Sequence, residues 1–171
     1  MSDFIGRLKS GDPRAYERLV ADYGDRLRRF ASRLSGPETA EDIVQEVFLC
    51  VYRSVRSFDP TGSLPAWIFT IASNLCVDQL RRRPPQVRTR TPEVDPSDAA
   101  VRRESRDSLL QAIASLPDAQ KRVFLLREEA GLTFREIAEL LQCPLGTALG
   151  RMHAAMETLR KSLNVPSEKR P

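Results

Sequence analysis

Two polar side chains near the C-terminus have the type and spacing of a DNA-contacting pair. Thr147 and Arg151 stand four residues apart in a stretch whose apolar periodicity predicts a helix, so they lie one turn apart on one face. An arginine can bind a guanine edge or a phosphate, and a threonine can contact a phosphate or a thymine methyl group. Gly146 and Gly150 share that face, and Arg135 on the preceding predicted helix suits a phosphate contact. The pattern indicates a duplex-DNA surface; the alternative is a helical hairpin with a solvated face.

A second group of side chains is suited to an unpaired base. The segment Asp59-Pro60-Thr61-Gly62-Ser63 has the composition of a turn, and the helix predicted after it carries Phe69, Thr70, Ser73 and Asn74. Helical spacing predicts that these four side chains lie largely off the buried stripe. An exposed aromatic ring can stack on a base while an amide and hydroxyl groups bond its edge. The alternative is that Phe69 is an ordinary core aromatic.

Charged residues at two further places could contact a partner. One predicted helix carries an acidic, amide-bearing ridge that could dock a basic partner helix: Asp42, Gln45 and Glu46 beside an exposed Leu49. The helix that would carry the base-contacting group ends in three consecutive arginines that could bind phosphates: Arg81, Arg82 and Arg83. For both groups the alternative is a solvated, charged face.

Catalytic and metal sites are not indicated. The single histidine, His153, lies on the predicted DNA-contacting helix, where solvent exposure or a phosphate contact is expected. Cys50, Cys76 and Cys143 are widely spaced, which predicts buried thiols rather than a disulfide framework or a zinc site. The sequence has no glycine-rich phosphate loop, HExxH or nucleophile elbow. We therefore expect no cofactor, no metal and no enzymatic activity.

Composition and charge restrict the class of protein further. The chain has 171 residues, 41% of them apolar, and a net charge of +4 from interleaved acids and bases. This balance is that of a soluble globular protein whose binding to nucleic acid depends on local patches. No apolar run approaches the roughly 20 residues of a membrane span, and the N-terminus lacks the features of a secretory signal. We expect a cytoplasmic protein without membrane insertion.

The elements that position the N-terminal groups are helices. Helical periodicity covers nearly the whole chain, which predicts an all-α fold. Asp12 should cap the first long helix, whose buried stripe includes Val20, and Gly36 should end it. The next helix is expected over about 38–55, with Tyr52 facing inward.

The elements around Thr147 and Arg151 form a pair of helices. Thr133 and Glu136 have capping-box spacing at the start of a short helix that ends at Gln142-Cys143-Pro144. A longer helix is expected over about 145–163. A capped helix, a tight turn and a longer helix are the arrangement of a helix-turn-helix, whose second helix enters the DNA major groove.

The chain divides into two small helical domains. We predict an N-terminal domain over 1–83, a flexible linker over 84–98 that contains four prolines, a C-terminal domain over 99–164 and a disordered tail over 165–171. Each domain is small for a single hydrophobic core.

The two halves together resemble a known family. The segments AYERLVADYGDRLRRFASRL, AEDIVQEVFLCVYRSVRSFDP and AWIFTIASNLCVDQLRRR are similar, in this order, to sigma region 2. The segment LPDAQKRVFLLREEAGLTFREIAELLQCPLGTALGRMHAAMETLRKSL is similar to sigma region 4. The chain therefore resembles a bacterial RNA polymerase sigma factor of the extracytoplasmic-function (ECF) group, which has these two regions only.

The resemblance implies a subunit that binds core RNA polymerase and directs promoter-specific initiation of transcription. Region 2 would bind the polymerase through Asp42, Gln45, Glu46 and Leu49. It would read and melt the minus-10 element through Asp59, Thr61, Gly62, Ser63, Phe69, Asn74, Arg81 and Arg82. Region 4 would bind the minus-35 element through Arg135, Gly146, Thr147, Gly150, Arg151 and His153. Implied partners are core polymerase, promoter DNA as duplex and as melted non-template strand, and an anti-sigma factor; the free protein would be monomeric.

Two alternatives belong to other classes. One is a sigma-like interaction module that sequesters a regulator or polymerase without reading promoters. The other is a simple helix-turn-helix repressor or activator, which leaves the N-terminal half unexplained. The sequence specifies neither the promoter nor the anti-sigma factor.

Overall fold

The described chain is built from helices alone. A computed structural model describes residues 2–82 and 99–164, with side chains over 3–82 and 106–164, and no strand occurs among these residues, which confirms the all-α fold. The predicted linker at 84–98 and tail at 165–171 lie outside the described residues. The helices are α1 (Ser2–Lys9), α2 (Pro13–Ser35), α3 (Pro37–Ser54), α4 (Leu64–Arg82), α5 (Ala99–Ser115), α6 (Asp118–Glu128), α7 (Phe134–Leu140) and α8 (Leu145–Ser162), with a short 3₁₀ turn at Val55–Ser57.

Local caps set the helix boundaries of the N-terminal half. The Asp12 carboxylate accepts the backbone N–H of Arg14 at 2.9 Å at the start of α2, as predicted. Gly36 separates α2 from α3 with a φ of 107°, a value that strains a residue with a side chain. The segment before Asp12 forms the helix α1, and its Ile5 and Leu8 side chains are buried.

The C-terminal half contains the predicted pair of helices. At the start of α7, the Thr133 hydroxyl accepts the Glu136 N–H at 3.3 Å and the Glu136 carboxylate accepts the Thr133 N–H at 2.7 Å. This is the expected capping box. Gln142, with a φ of 50°, makes the tight turn into α8. The helix-turn-helix geometry therefore depends on local interactions that the sequence specifies.

The two halves pack against each other. Helix α2 contacts α5 and α6, and α4 contacts α7. The buried apolar side chains of both halves form one connected cluster. Sequence periodicity did not predict this contact between the two halves. It also predicted wrongly that Val20 and Tyr52 are buried, since their side chains are 48% and 62% exposed.

Candidate functional site

The outer face of α8 carries few cations. Gly146, Gly150 and His153 are exposed, whereas Thr147 is only partly exposed. Leu145 and Leu149, in the first two turns, are 44% and 45% exposed. Nothing lies within 4 Å of a Cβ atom placed on either glycine, so the backbone of this face is open to close approach. The face is open and largely uncharged.

The two arginines predicted to contact DNA have different surroundings. Arg135 on α7 is exposed. Arg151 on α8 is half-buried beside Arg122 of α6, and burial, followed by the charge of Arg151, lowers the pKa of Arg122. Arg122 donates to the Ser73 hydroxyl at 3.0 Å, so Arg151 is near the contact between the two halves.

The loop over 59–63 is ordered by its own aspartate. The Asp59 carboxylate accepts the backbone N–H of Thr61 at 2.9 Å and its hydroxyl at 2.8 Å. These hydrogen bonds lower the pKa of Asp59. The backbone N–H of Gly62 donates to the Asp59 carbonyl at 2.9 Å. One carboxylate oxygen of Asp59 accepts both hydrogen bonds from Thr61. The first role of the Asp59 side chain is therefore to shape the turn.

Aromatic side chains hold this loop on the N-terminal half. Phe58, just before the loop, is 7% exposed, and its ring centroid lies 4.8 Å from that of Trp67 on α4. The loop residues Asp59, Thr61 and Gly62 are exposed, and Ser63 is partly exposed. The exposed loop is therefore anchored to the N-terminal half through the buried Phe58 side chain.

The prediction that Phe69 and Ser73 are exposed was wrong. Both side chains have 0% exposure. The Phe69 ring packs edge-on against Phe30 of α2, with 5.4 Å between centroids, and Arg26 lies over it at 5.8 Å. Phe69 is a core residue here because both α2 and the C-terminal half cover this side of α4. It cannot stack on a base in this conformation.

Asn74, Arg81 and Arg82 are exposed as predicted, and Arg83 lies outside the described residues. Asn74, Arg81 and Arg82 all have accessible side chains, and Arg81 lies 4.0 Å from the Asp78 carboxylate. The structure thus places Asn74 on the accessible side of α4, whereas it removes Phe69 from that side.

The acidic ridge lies on the exposed side of α3, as expected. Asp42, Gln45 and Leu49 are exposed and Glu46 is partly exposed, with its carboxylate 3.8 Å from Arg53. Tyr52 continues this surface by one further turn, and its ring centroid lies 5.3 Å from that of Tyr16 on α2. Sequence analysis missed Tyr52 because its spacing matched the buried stripe.

The remaining features to consider are the three cysteines, candidate metal ligands and candidate membrane-spanning helices. The prediction of buried thiols is correct for Cys76 and wrong for Cys50 and Cys143, which are partly exposed. Burial raises the pKa of Cys76 to about 11. Among the described residues, no group of three or more histidine, cysteine and acidic side chains could hold a metal ion. In the same part of the chain, no helix has both the length and the apolar character needed to cross a bilayer.

Comparison with known proteins identifies both halves. Residues 19–84 match the Sigma-70 region 2 family, and residues 106–159 match the Sigma-70 region 4 family. The ECF RNA polymerase sigma factor SigW of Bacillus subtilis (strain 168) is 32% identical, over 93% of this chain and 94% of SigW. The chain is an ECF RNA polymerase sigma factor. The expected resemblance is confirmed, and with it the function of a sigma factor, which is to direct the initiation of transcription at promoters.

Solved structures agree with the fold of this sigma factor. CnrH, in complex with the cytosolic domain of CnrY, is 25% identical with a TM-score of 0.73, and the match covers 96% of this chain and 97% of CnrH. The sigma factor RpoE of Bartonella quintana, in complex with the anti-sigma factor NepR, has a TM-score of 0.71 at 23% identity, covering 89% of this chain and 98% of that one. The second likeness is one of fold alone.

Proposed function

We propose that this sigma factor divides its contacts among three surfaces. The ridge of α3, comprising Asp42, Gln45, Glu46 and Leu49, binds core RNA polymerase. The loop over 59–63, with Asn74, Arg81 and Arg82, reads and melts the minus-10 element. The α7 and α8 pair binds the minus-35 element through Arg135 and the outer face of α8. We also propose the domain boundaries expected from the sequence, with region 2 over 1–83 and region 4 over 99–164.

The observation that carries this proposal is that polar side chains are exposed both on the ridge of α3 and in the loop over 59–63. The ridge offers two acids and a leucine to a basic, apolar partner, while Asn74 offers an amide to a base edge. A melted base costs a few kcal/mol in lost stacking and pairing. A shaped loop offsets that cost only while polymerase holds the adjacent duplex.

The remaining assignments concern enzymatic activity, cellular location and oligomeric state. We infer that it has no enzymatic activity of its own, acts in the cytoplasm with polymerase, and is monomeric when free. Its relative SigW is a sigma factor, which supports this inference. An anti-sigma partner is a further expectation for which no residue is assigned.

The test is run-off transcription with added core polymerase. Asn74→Ala is expected to reduce promoter opening while core binding is retained, and Glu46→Arg is expected to weaken core binding at least tenfold, because it reverses a charge in the interface. Gln111→Ala, at an exposed site on α5 outside the three surfaces, is the matched control. Identical defects from Asn74→Ala and Glu46→Arg would contradict the division of surfaces. Core binding without any transcription would favour a sequestering module.

A further inference from the structure

One carboxylate joins the two halves of this sigma factor. Glu129, at the C-terminal end of α6, is only 8% exposed. It accepts hydrogen bonds from two arginines of α2: Arg29 through Nε at 2.8 Å, and Arg33 through Nη1. A carboxylate buried to this degree is stable only when it is paired and hydrogen-bonded. Glu129 obtains these partners entirely from the other half of the chain.

A third arginine of α2 binds the backbone at the same place. Arg26 donates from Nε to the Glu129 carbonyl at 2.9 Å and from Nη2 to the Ala130 carbonyl at 2.6 Å. These carbonyls follow the end of α6, where the helix dipole favours positive charge. The Arg26 guanidinium carbon also lies over the rings of Tyr23 and Phe69, at 5.6 and 5.8 Å from their centroids. Three arginines, one per turn of α2, therefore converge on two residues of region 4.

A second part of the contact is centred on Arg122 of α6. Arg122 donates to the Ser73 hydroxyl of α4 at 3.0 Å, and its Nε is buried with no hydrogen-bond partner among the described residues. Burial lowers the pKa of Arg122, and so do the charges of Arg151 and Arg81, whereas Cys76 and Asp118 act in the opposite sense. A buried and incompletely paired cation stabilises a contact little, so closure depends mainly on the Glu129 carboxylate.

The packed arrangement is incompatible with simultaneous reading of two promoter elements. The minus-10 and minus-35 elements are about 25 base pairs apart by their names, or about 85 Å along a duplex at about 3.4 Å per base pair. A compact chain of 171 residues has a radius of gyration of about 16 Å. The packed halves therefore cannot reach both elements, and region 4 must leave region 2.

The same contact reaches the edge of the proposed minus-10 surface. Ser73, next to Asn74, is fully buried under Arg122, and Ser63 of the loop lies beside Glu136 of α7. We propose that Glu129, held by Arg26, Arg29 and Arg33, is an intramolecular latch that keeps the free sigma factor closed and must release before promoter engagement. The existence of the latch is independent of the proposed function, whereas its effect on DNA binding, which is to hold the two DNA surfaces too close together to reach both elements, rests on that proposal.

The latch is tested by small-angle X-ray scattering of the full chain. The wild type is expected near the compact radius of gyration of about 16 Å, and Glu129→Gln, which keeps the shape but removes the charge, is expected to exceed about 20 Å. Glu128→Gln, at an exposed neighbouring glutamate, is the matched control. An expanded wild type, or a Glu129→Gln variant as compact as the wild type, would overturn the proposal.

A charge exchange guards against misfolding of the single variant. Arg29→Glu with Arg33→Glu is expected to open the chain, and adding Glu129→Arg is expected to close it again because opposite charges face each other once more. Far-UV circular dichroism checks that helix content is unchanged in each variant. Failure of the third substitution to restore compactness would contradict a specific latch.

DNA binding separates this inference from the proposed function. Without polymerase, the opened Glu129→Gln chain is expected to bind a promoter duplex about 5- to 150-fold more tightly than the wild type, the usual range of a coupling between two states. Opening without tighter binding would overturn the two DNA surfaces assigned above, since an opened chain would then contact only one element at a time. The scattering result alone decides the latch.

Discussion

The burial of Phe69 predicts that this side chain stabilises the fold rather than stacking on a base. The stability of the Phe69→Ala variant tests this prediction. The ring has 0% exposure and meets Phe30 edge-on at 5.4 Å. Truncating a buried phenylalanine to alanine costs about 3–5 kcal/mol, of which the aromatic pair accounts for about 0.5–1.5 kcal/mol. With a urea dependence of about 2 kcal/mol per molar, the unfolding midpoint should fall by about 2 M.

The assay is urea unfolding of the full chain followed by circular dichroism, in parallel with promoter opening by holoenzyme. Phe69→Leu preserves an apolar side chain and should cost less than about 1.5 kcal/mol while retaining promoter opening. Asn74→Ala, at an exposed site on the same helix, should change stability by no more than about 0.5 kcal/mol. An unchanged midpoint in Phe69→Ala, together with abolished opening, would refute the core assignment and restore Phe69 as a base-stacking residue.

Three further predictions follow from local contacts. Thr133→Ala removes the capping box of α7 and should lower the free energy of unfolding by about 1 kcal/mol, whereas Thr133→Ser should retain most of it; urea unfolding measures both. Cys76, with a pKa of about 11, should resist alkylation at pH 8 in the native protein and react after unfolding, as peptide mass mapping would show. Thr61→Ala removes a hydroxyl donor and should raise the pKa of Asp59, measured by NMR titration. Because folding lowers that pKa, the associated stabilisation is present above the unfolded value and is lost as the pH falls through the folded value.

Helix ends were predictable because their determinants are close in sequence. The Asp12 cap, the Gly36 turn and the Thr133 to Glu136 box each involve residues at most four positions apart. Such contacts form whatever the rest of the chain does. The same applies to the exposed ridge of α3, since Asp42, Gln45 and Leu49 occupy the polar side of a single amphipathic helix.

Burial on α4 was not predictable from periodicity. A single apolar stripe assumes that a helix is covered on one side, but α4 is packed by α2 and α3 and also by α7. The contacts that bury Ser73 and place Arg26 over Phe69 join residues far apart in sequence; Arg122 and Ser73 are separated by 49 positions. Tyr52 shows the converse, since its position matches the apolar stripe of α3 but its side chain is 62% exposed despite the contact with Tyr16 of α2.

The charge on the proposed minus-35 surface limits the affinity that region 4 can supply alone. Arg135 and Arg151 are its two arginines, and Leu145 and Leu149 occupy exposed positions in the first two turns of α8. Each neutralised phosphate contributes about 0.9 to the salt slope, so two contacts give a slope near 2, against about 6–10 contacts in strong binders. Two weak surfaces on one chain nevertheless gain millimolar effective concentration once polymerase holds one of them on a promoter. Weak DNA contacts and a closed free form are therefore consistent: both leave promoter binding dependent on the assembled holoenzyme.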